Sequence, residues 1–254
     1  MPDVRNVARR KKARHAPSMT TPVRYRFAVR FALGLLLAAA IVAALRRTDG
    51  RPPSLLARNA DIFDYDLEWN RTLPSLVLWF VFFLYWAIAS HDSAESETSE
   101  SSLSTHFHQI ALGVSLVLLL WPVPGLDRWF LPQRLHVLVA VGAAIQIAFA
   151  SLAVWARRHL GRNWSAEVRI GQGHQLVRTG PYRLLRHPIY TAMLGMFLGT
   201  AIAGSQYHAL VAIVLLFFAY LRKTRLEEEI LARTFGAEWD AYRRSTWALV
   251  PGVY

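Results

Sequence analysis

The sequence predicts an all-α polytopic membrane protein, with about six transmembrane helices and a cytoplasmic C-terminal amphipathic helical cap. Three observations predict it. Hydrophobic residues make up 54% of the 254 and charged residues only 18%, against about 25% charged in soluble domains. Apolar runs near the roughly 20 residues that span a bilayer recur along the chain. The 29 Lys and Arg residues, which give a net charge of +12, divide unevenly between alternate loops.

Residues 1–26 carry eight Lys and Arg and read as a disordered basic arm touching anionic lipid. No folded reader module follows it, so nucleic acid is not the expected partner. Region 27–156 holds four spans, at 27–45, 73–90, 107–124 and 135–156. Arg30 lies one turn inside the first and can snorkel to the headgroups. The flank Leu45-Arg46-Arg47 is a poor cleavage site, so the first run reads as a span and not a leader. The loop 91–106 is acidic and serine-rich (Asp92, Glu95, Glu97, Glu100) and reads as solvated and flexible. His106 and His108 flank Phe107, too few ligands for a metal. Gln109 and Gln146 are the main polar residues within spans. Neither is ionisable, which argues against an ion pathway.

Two shorter spans follow, at 188–203 and 207–221. Only Gly204-Ser205-Gln206 separates them, which predicts a tight helical hairpin. His136 and His208 lie near span ends, as interfacial residues do. Trp69, Trp121, Trp129, Trp155, Tyr207 and Tyr220 mark several ends, as in an aromatic belt. With this topology 21 of the Lys and Arg residues fall on one side and seven on the other. The bias predicts both termini in the cytoplasm, in a bacterial inner membrane. Only Lys11, Lys12 and Lys223 are lysine. Cysteine is absent, which excludes disulfides, a thiolate nucleophile and Cys-ligated metals.

Polar motifs concentrate in 157–254. Gly180-Pro181 is a turn signal, and Pro188 suits the first turn of a helix, where a missing N–H costs nothing. Arg186 and His187 therefore stand at the mouth of the fifth span. There they either anchor the interface or hold a polar or anionic group against the free N–H groups of the helix. Beyond the sixth span, Leu226, Ile230, Leu231 and Phe235 fall at helical spacing, and Gly236 suits the end of that helix. Residues 237–244 form a second short helix with Trp239 and Tyr242. Glu227, Glu228 and Glu229 are either a solvated face with partners such as Arg225, or supply one carboxylate turned inward to a ligand. Gly171-x-Gly173 follows no predicted strand and is too common to mark a nucleotide site.

Five pieces in this order resemble one family: Leu160-Gly161-x-x-Trp164-Ser165; His174-x-Leu176-Val177-x-x-Gly180-Pro181-Tyr182-Arg183; Arg186-His187-Pro188-x-Tyr190; Arg225-x-Glu227-Glu228; and Phe235-Gly236-x-Glu238-Trp239-x-x-Tyr242. The stretch, roughly 155–252, is similar to the isoprenylcysteine carboxyl methyltransferases, whose wider relatives are the phospholipid N-methyltransferases. The resemblance implies S-adenosyl-L-methionine as methyl donor. It also implies a cytosol-facing pocket roofed by the last helices, with a lipidic substrate entering sideways from the bilayer. Carried over, His174, Gln175, Leu176 and Val177 contact the cofactor, Tyr182, His187, Pro188 and Tyr190 line it, and Glu228 binds its polar end. Glu227 or Glu229 replaces Glu228 if the register shifts. Arg225 is the nearest match to the arginine that orients the substrate carboxylate, with Arg186 the second catalytic candidate. Arg169 stands where the family has a glutamine.

Methyl transfer from a sulfonium is an in-line displacement that rests on positioning and exclusion of water. A carboxylate acceptor is already ionised and needs no base. An amine acceptor, as in phospholipid N-methylation, must first lose a proton. A non-catalytic membrane scaffold or small permease is the remaining alternative.

Overall fold

The computed structural model describes residues 61–89, 98–99, 102–120, 137–161, 169–170 and 176–252, with isolated positions between. The basic arm, the first predicted span, His136, His174 and Gln175 lie outside the described residues. Six α-helices run through the described part: α1 Asp61–Ala89, α2 Ser102–Leu120, α3 Val137–Leu160, α4 Pro188–Gly204, α5 Tyr207–Phe235 and α6 Ala237–Arg244.

Three of them differ from the hydropathy boundaries. Helix α1 begins at Asp61 and carries Pro74 inside it; hydropathy sees only its apolar part. Helix α2 begins at Ser102, so the end of the acidic loop is helical. Thr98 and Ser99 pair antiparallel with Ile170 and Arg169, joining that loop to the segment after α3. This long-range pairing leaves no mark on local composition, and it puts a short strand before Gly171 where none was expected. Helix α5 is one uninterrupted rod of 29 residues, not a span followed by a separate amphipathic helix. Between Leu221 and Phe235 there is no Gly or Pro, and Arg, Lys and Glu favour helix, so nothing stops the helix where its apolar stretch ends.

Helices α3 and α4 meet backbone to backbone. A Cβ on Gly142 would lie 2.4 Å from the Gly199 carbonyl oxygen, and a Cβ on Gly199 2.6 Å from that of Gly142. One turn away, a Cβ on Gly195 would lie 2.1 Å from the Phe149 ring. The Gly195-x-x-x-Gly199-x-x-x-Ala203 stripe is the small-residue spacing by which membrane helices approach closely. Around this seam Trp79, Phe82, Leu116, Met196, Phe197 and Leu216 form the buried core. Two hydrogen bonds cross between its helices. Trp79 Nε1 donates to Thr200 Oγ1 at 3.0 Å, and Gln146 Nε2 to the Ser75 carbonyl at 3.3 Å.

The exterior is apolar too. Phe80, Ile88, Ile110 and Phe218 are each more than 60% exposed, a surface suited to hydrocarbon. Helix α3 is long and apolar enough to cross a membrane; 73–89, 106–120 and α4 are shorter apolar stretches.

The α4–α5 turn is as tight as predicted. Ser205 adopts a left-handed φ of 58° and its N–H closes on the Ala201 carbonyl. His208 is buried and not interfacial; its ring nitrogens face the Leu118 carbonyl and the Gln206 side chain. At the other end α6 and the strap 245–250 fold over the mouth of α4. Leu185 and Trp247 form a parallel bridge, Tyr242 donates its hydroxyl to the Tyr182 carbonyl at 2.7 Å, and Thr191 Oγ1 donates to the Leu249 carbonyl.

Candidate active site

The polar residues converge where α4 begins. Gly180 opens the 3₁₀ turn Gly180–Arg183 with φ of +59°, and a Cβ there would lie 2.8 Å from the His159 ring. The turn buries Pro181 and Tyr182 and delivers the chain to Arg186. The Arg186 N–H donates to the Trp247 carbonyl at 2.8 Å and the His187 N–H to that of Ala248 at 3.1 Å. With the backbone held by the strap and Pro188 starting the helix, both side chains turn toward α5.

There they meet two carboxylates. Arg186 Nε donates to Glu228 Oε1 at 2.8 Å. His187 lies between the pair, Nε2 at 3.2 Å from Glu228 Oε1 and Nδ1 at 3.3 Å from Glu227 Oε2. Tyr190 donates its hydroxyl to the other oxygen of Glu227. Arg186 Nη1 donates to the carbonyls of Arg243 and Thr246, and Arg243 Nε stands 3.7 Å from Glu228 Oε2. An aromatic file continues from the charges: His187 stacks on Tyr190 at 5.7 Å, Tyr190 on Tyr220 at 4.6 Å, and the His108 ring lies 5.4 Å from Tyr220.

Burial alone pulls the His187 pKa down, but the hydrogen bonds and charges of Glu227 and Glu228 outweigh it and raise it above 6.5. Burial pushes both glutamates up. His187 pulls both back below 4.5, helped by Lys223 and Tyr190 at Glu227 and by Arg186 at Glu228. Both glutamates are therefore ionised at neutral pH, and His187 holds its proton to a higher pH than a free imidazole does. Burial drives Tyr182 and Tyr242 upward, so both stay neutral phenols.

Of the residues singled out in the sequence, Arg186, His187, Tyr190 and Glu228 meet directly. Pro188 and Tyr182 are buried beside them, and Leu176 and Val177 are half-buried on the approach to the 3₁₀ turn. Two carboxylates turn inward where one was expected, because Glu227 and Glu228 each face one imidazole nitrogen; Glu229 is exposed. Arg225 is exposed as well, and it takes no part in the bonds described around the glutamates. Lys223 and Tyr220, buried at 2% exposure each, were missed. Their spacing with Glu227, three and then four residues along α5, was the available signal. Among the described residues no group of His, Asp and Glu is placed to hold a metal.

The model of a family described as phospholipid methyltransferase matches residues 137–238. Protein-S-isoprenylcysteine O-methyltransferase A of Arabidopsis thaliana is 30% identical over 193 residues, 72% of this chain and 93% of that protein. The nickel-cobalt-cadmium resistance protein NccN of Alcaligenes xylosoxydans xylosoxydans is 38% identical over 95 residues, 36% of this chain and 44% of that protein. Among solved structures, a eukaryotic intramembrane Ras methyltransferase aligns over 92% of this chain and 99% of its own, with a TM-score of 0.47 and 16% identity.

Proposed function

The chain belongs to the protein-S-isoprenylcysteine O-methyltransferase family, and from that premise we propose that it methylates the carboxylate of an isoprenylcysteine-like or other lipidic acceptor, with S-adenosyl-L-methionine as donor. One observation carries the reading: the buried chain Arg186–Glu228–His187–Glu227–Tyr190 at the end of an apolar bundle. Its donor set fits that cofactor. Two ionised carboxylates and the stacked faces of Tyr190 and Tyr220 suit a cationic, sulfonium-bearing amino acid. Arg186, already fixed by three bonds, suits its carboxylate end.

When bound, the cofactor supplies a methyl group on a positively charged sulfur, which passes to a carboxylate oxygen as the carbon–sulfur pair leaves to sulfur. The protein's own part is then positioning. Glu227 and Glu228 hold the donor's polar end, and His187 keeps both carboxylates ionised and aimed. Tyr182, Pro188, Leu176 and Val177 close the pocket, with His174 and Gln175 as further contacts. Arg225, exposed on α5, is the arginine proposed to orient the acceptor's carboxylate. The strap 245–250 and α6 exclude water from above. The bundle sits in a bacterial inner membrane with six spans and both termini cytoplasmic, supported by the charge asymmetry and the apolar exterior.

Phospholipid amine methylation is the second reading, favoured by the family match over 137–238. It needs a base to take the amine proton, a step the carboxyl reading does not require. Membranes containing the protein, incubated with methyl-labelled cofactor and a farnesylcysteine, decide between them. A base-labile methyl ester on the acceptor supports the carboxyl reading. Label in the phosphatidylethanolamine fraction overturns it.

A further inference from the structure

Leu184 and Trp247 are 67% and 47% exposed, although the backbone around them is firmly held. The Trp247 N–H donates to the Leu184 carbonyl at 3.0 Å, and the Trp247 carbonyl accepts from the Arg186 N–H. Two large apolar side chains are thus fixed close together on the outside of the cap. An exposed arginine accompanies each of them: Arg183 directly before Leu184, and Arg244 three residues before Trp247. Apolar surface held rigidly at the exterior beside cations marks a contact surface.

Depth and charge together select the partner. Leu184 lies four residues before Pro188, where α4 begins. Helix α4 has 17 residues and is about 26 Å long at 1.5 Å per residue, close to the roughly 30 Å of a bilayer's hydrocarbon. A bundle set across a bilayer therefore holds Leu184 and Trp247 at the level of the headgroups, the layer that tryptophan favours. The charges of α6 sort along its length, with Glu238 and Asp240 in its first turn and Arg243 and Arg244 in its last. Glu238 is paired with Arg178, and Arg243 faces Glu228. The basic end of α6 is thus the end that leads to Trp247. A soluble partner requires no particular depth, whereas lipid phosphates supply both the depth and the opposite charge.

We propose that Arg183, Leu184, Arg244 and Trp247 form a contact surface for anionic phospholipid in the leaflet where α4 ends. The two arginines meet the negative headgroups, and Leu184 and Trp247 lie at the boundary with the acyl chains. The assignment rests on the membrane placement proposed above and not on the reaction.

The test uses the full-length protein in nanodiscs of equimolar phosphatidylcholine and phosphatidylglycerol. Cysteine is absent, so Leu184→Cys and Asp240→Cys each give a single site for a bimane label. Brominated lipid should quench the label at position 184 and leave the label at position 240 nearly unchanged. Bromine carried on phosphatidylglycerol should quench about fivefold more than bromine on phosphatidylcholine, the scale of one arginine near an anionic surface. Adding Arg183→Gln and Arg244→Gln should bring the two lipids within about twofold. Each variant must elute as the wild type does, and Trp247→Cys replaces Leu184→Cys if the latter does not. A label at position 184 that neither lipid quenches more than the label at position 240 overturns the proposal and leaves the patch to a soluble partner. Equal quenching by the two lipids before the arginines are changed overturns it as well, as does a preference that survives loss of both arginines. Methyl transfer plays no part in the readout, so the carboxyl methyltransferase reading stands or falls separately.

Discussion

Arg186 and Glu228 lie 42 residues apart and meet at 2.8 Å with only 7% and 9% of their side chains exposed. The same guanidinium holds the Arg243 and Thr246 carbonyls, so one side chain ties α4, α5 and the strap. Removing one partner of a buried pair costs about 3–5 kcal/mol, because the other is left as an uncompensated charge. Arg186→Ala should therefore lower the thermal midpoint in detergent sharply and loosen the strap. Proteolysis beyond residue 244 should rise with it. A strap as resistant as in the wild type would refute the link.

Stability should depend on pH on both sides. The raised His187 pKa contributes stability that is full below 6.5 and lost as pH rises through the higher, folded value. The lowered Glu227 and Glu228 values contribute stability that is full above 4.5 and lost as pH falls through them. The plateau lies between. His187→Gln should abolish the alkaline limb while leaving an acid limb, as read by thermal unfolding across the pH range.

Tyr190→Phe isolates one hydrogen bond. The stack on Tyr220 at 4.6 Å survives, and the bond to Glu227 is lost. Affinity for S-adenosyl-L-homocysteine should fall by about 1 kcal/mol, close to fivefold. Tyr190→Ala, which also removes the stack, should cost clearly more. Equal losses in a titration would show that the hydroxyl alone matters.

The glycine seam gives a purely structural prediction. In Gly199→Ala the new methyl group meets backbone, which cannot swing aside as a side chain can. Overpacking of this kind costs about 1–3 kcal/mol. Thermal stability should drop while the remaining folded protein binds cofactor product with unchanged affinity. Gly113→Ala, where a Cβ meets nothing within 4 Å, is the control.

The sequence made α4 and α6 legible to within a residue, because Pro188, Gly204 and Gly236 punctuate the chain locally. It also brought Arg186, His187 and Glu228 into one short list. It did not reveal that Arg225 faces solvent while Lys223 is buried, since the two are only two residues apart and a continuous α5 decides which turns inward. Nor did it show that Trp247 and Ala248 hold the backbone of Arg186 and His187. Such pairing across some 60 residues depends on the packed fold, and no local pattern records it.

The unbroken length of α5 has a mechanical corollary. At 1.5 Å per residue the rod is about 44 Å long, while a bilayer's hydrocarbon is about 30 Å thick. Its Tyr207 end is held by the hairpin, through the bond from Phe130 N–H to the Ser205 carbonyl. The glutamates ride on the far end with no hinge between. Their bonds to Arg186, His187 and Tyr190 tie that end of the rod to the mouth of α4. The rod is longer than a bilayer's hydrocarbon, so the half of it that bears Glu227 and Glu228 can stand clear of the lipid while the helix stays continuous.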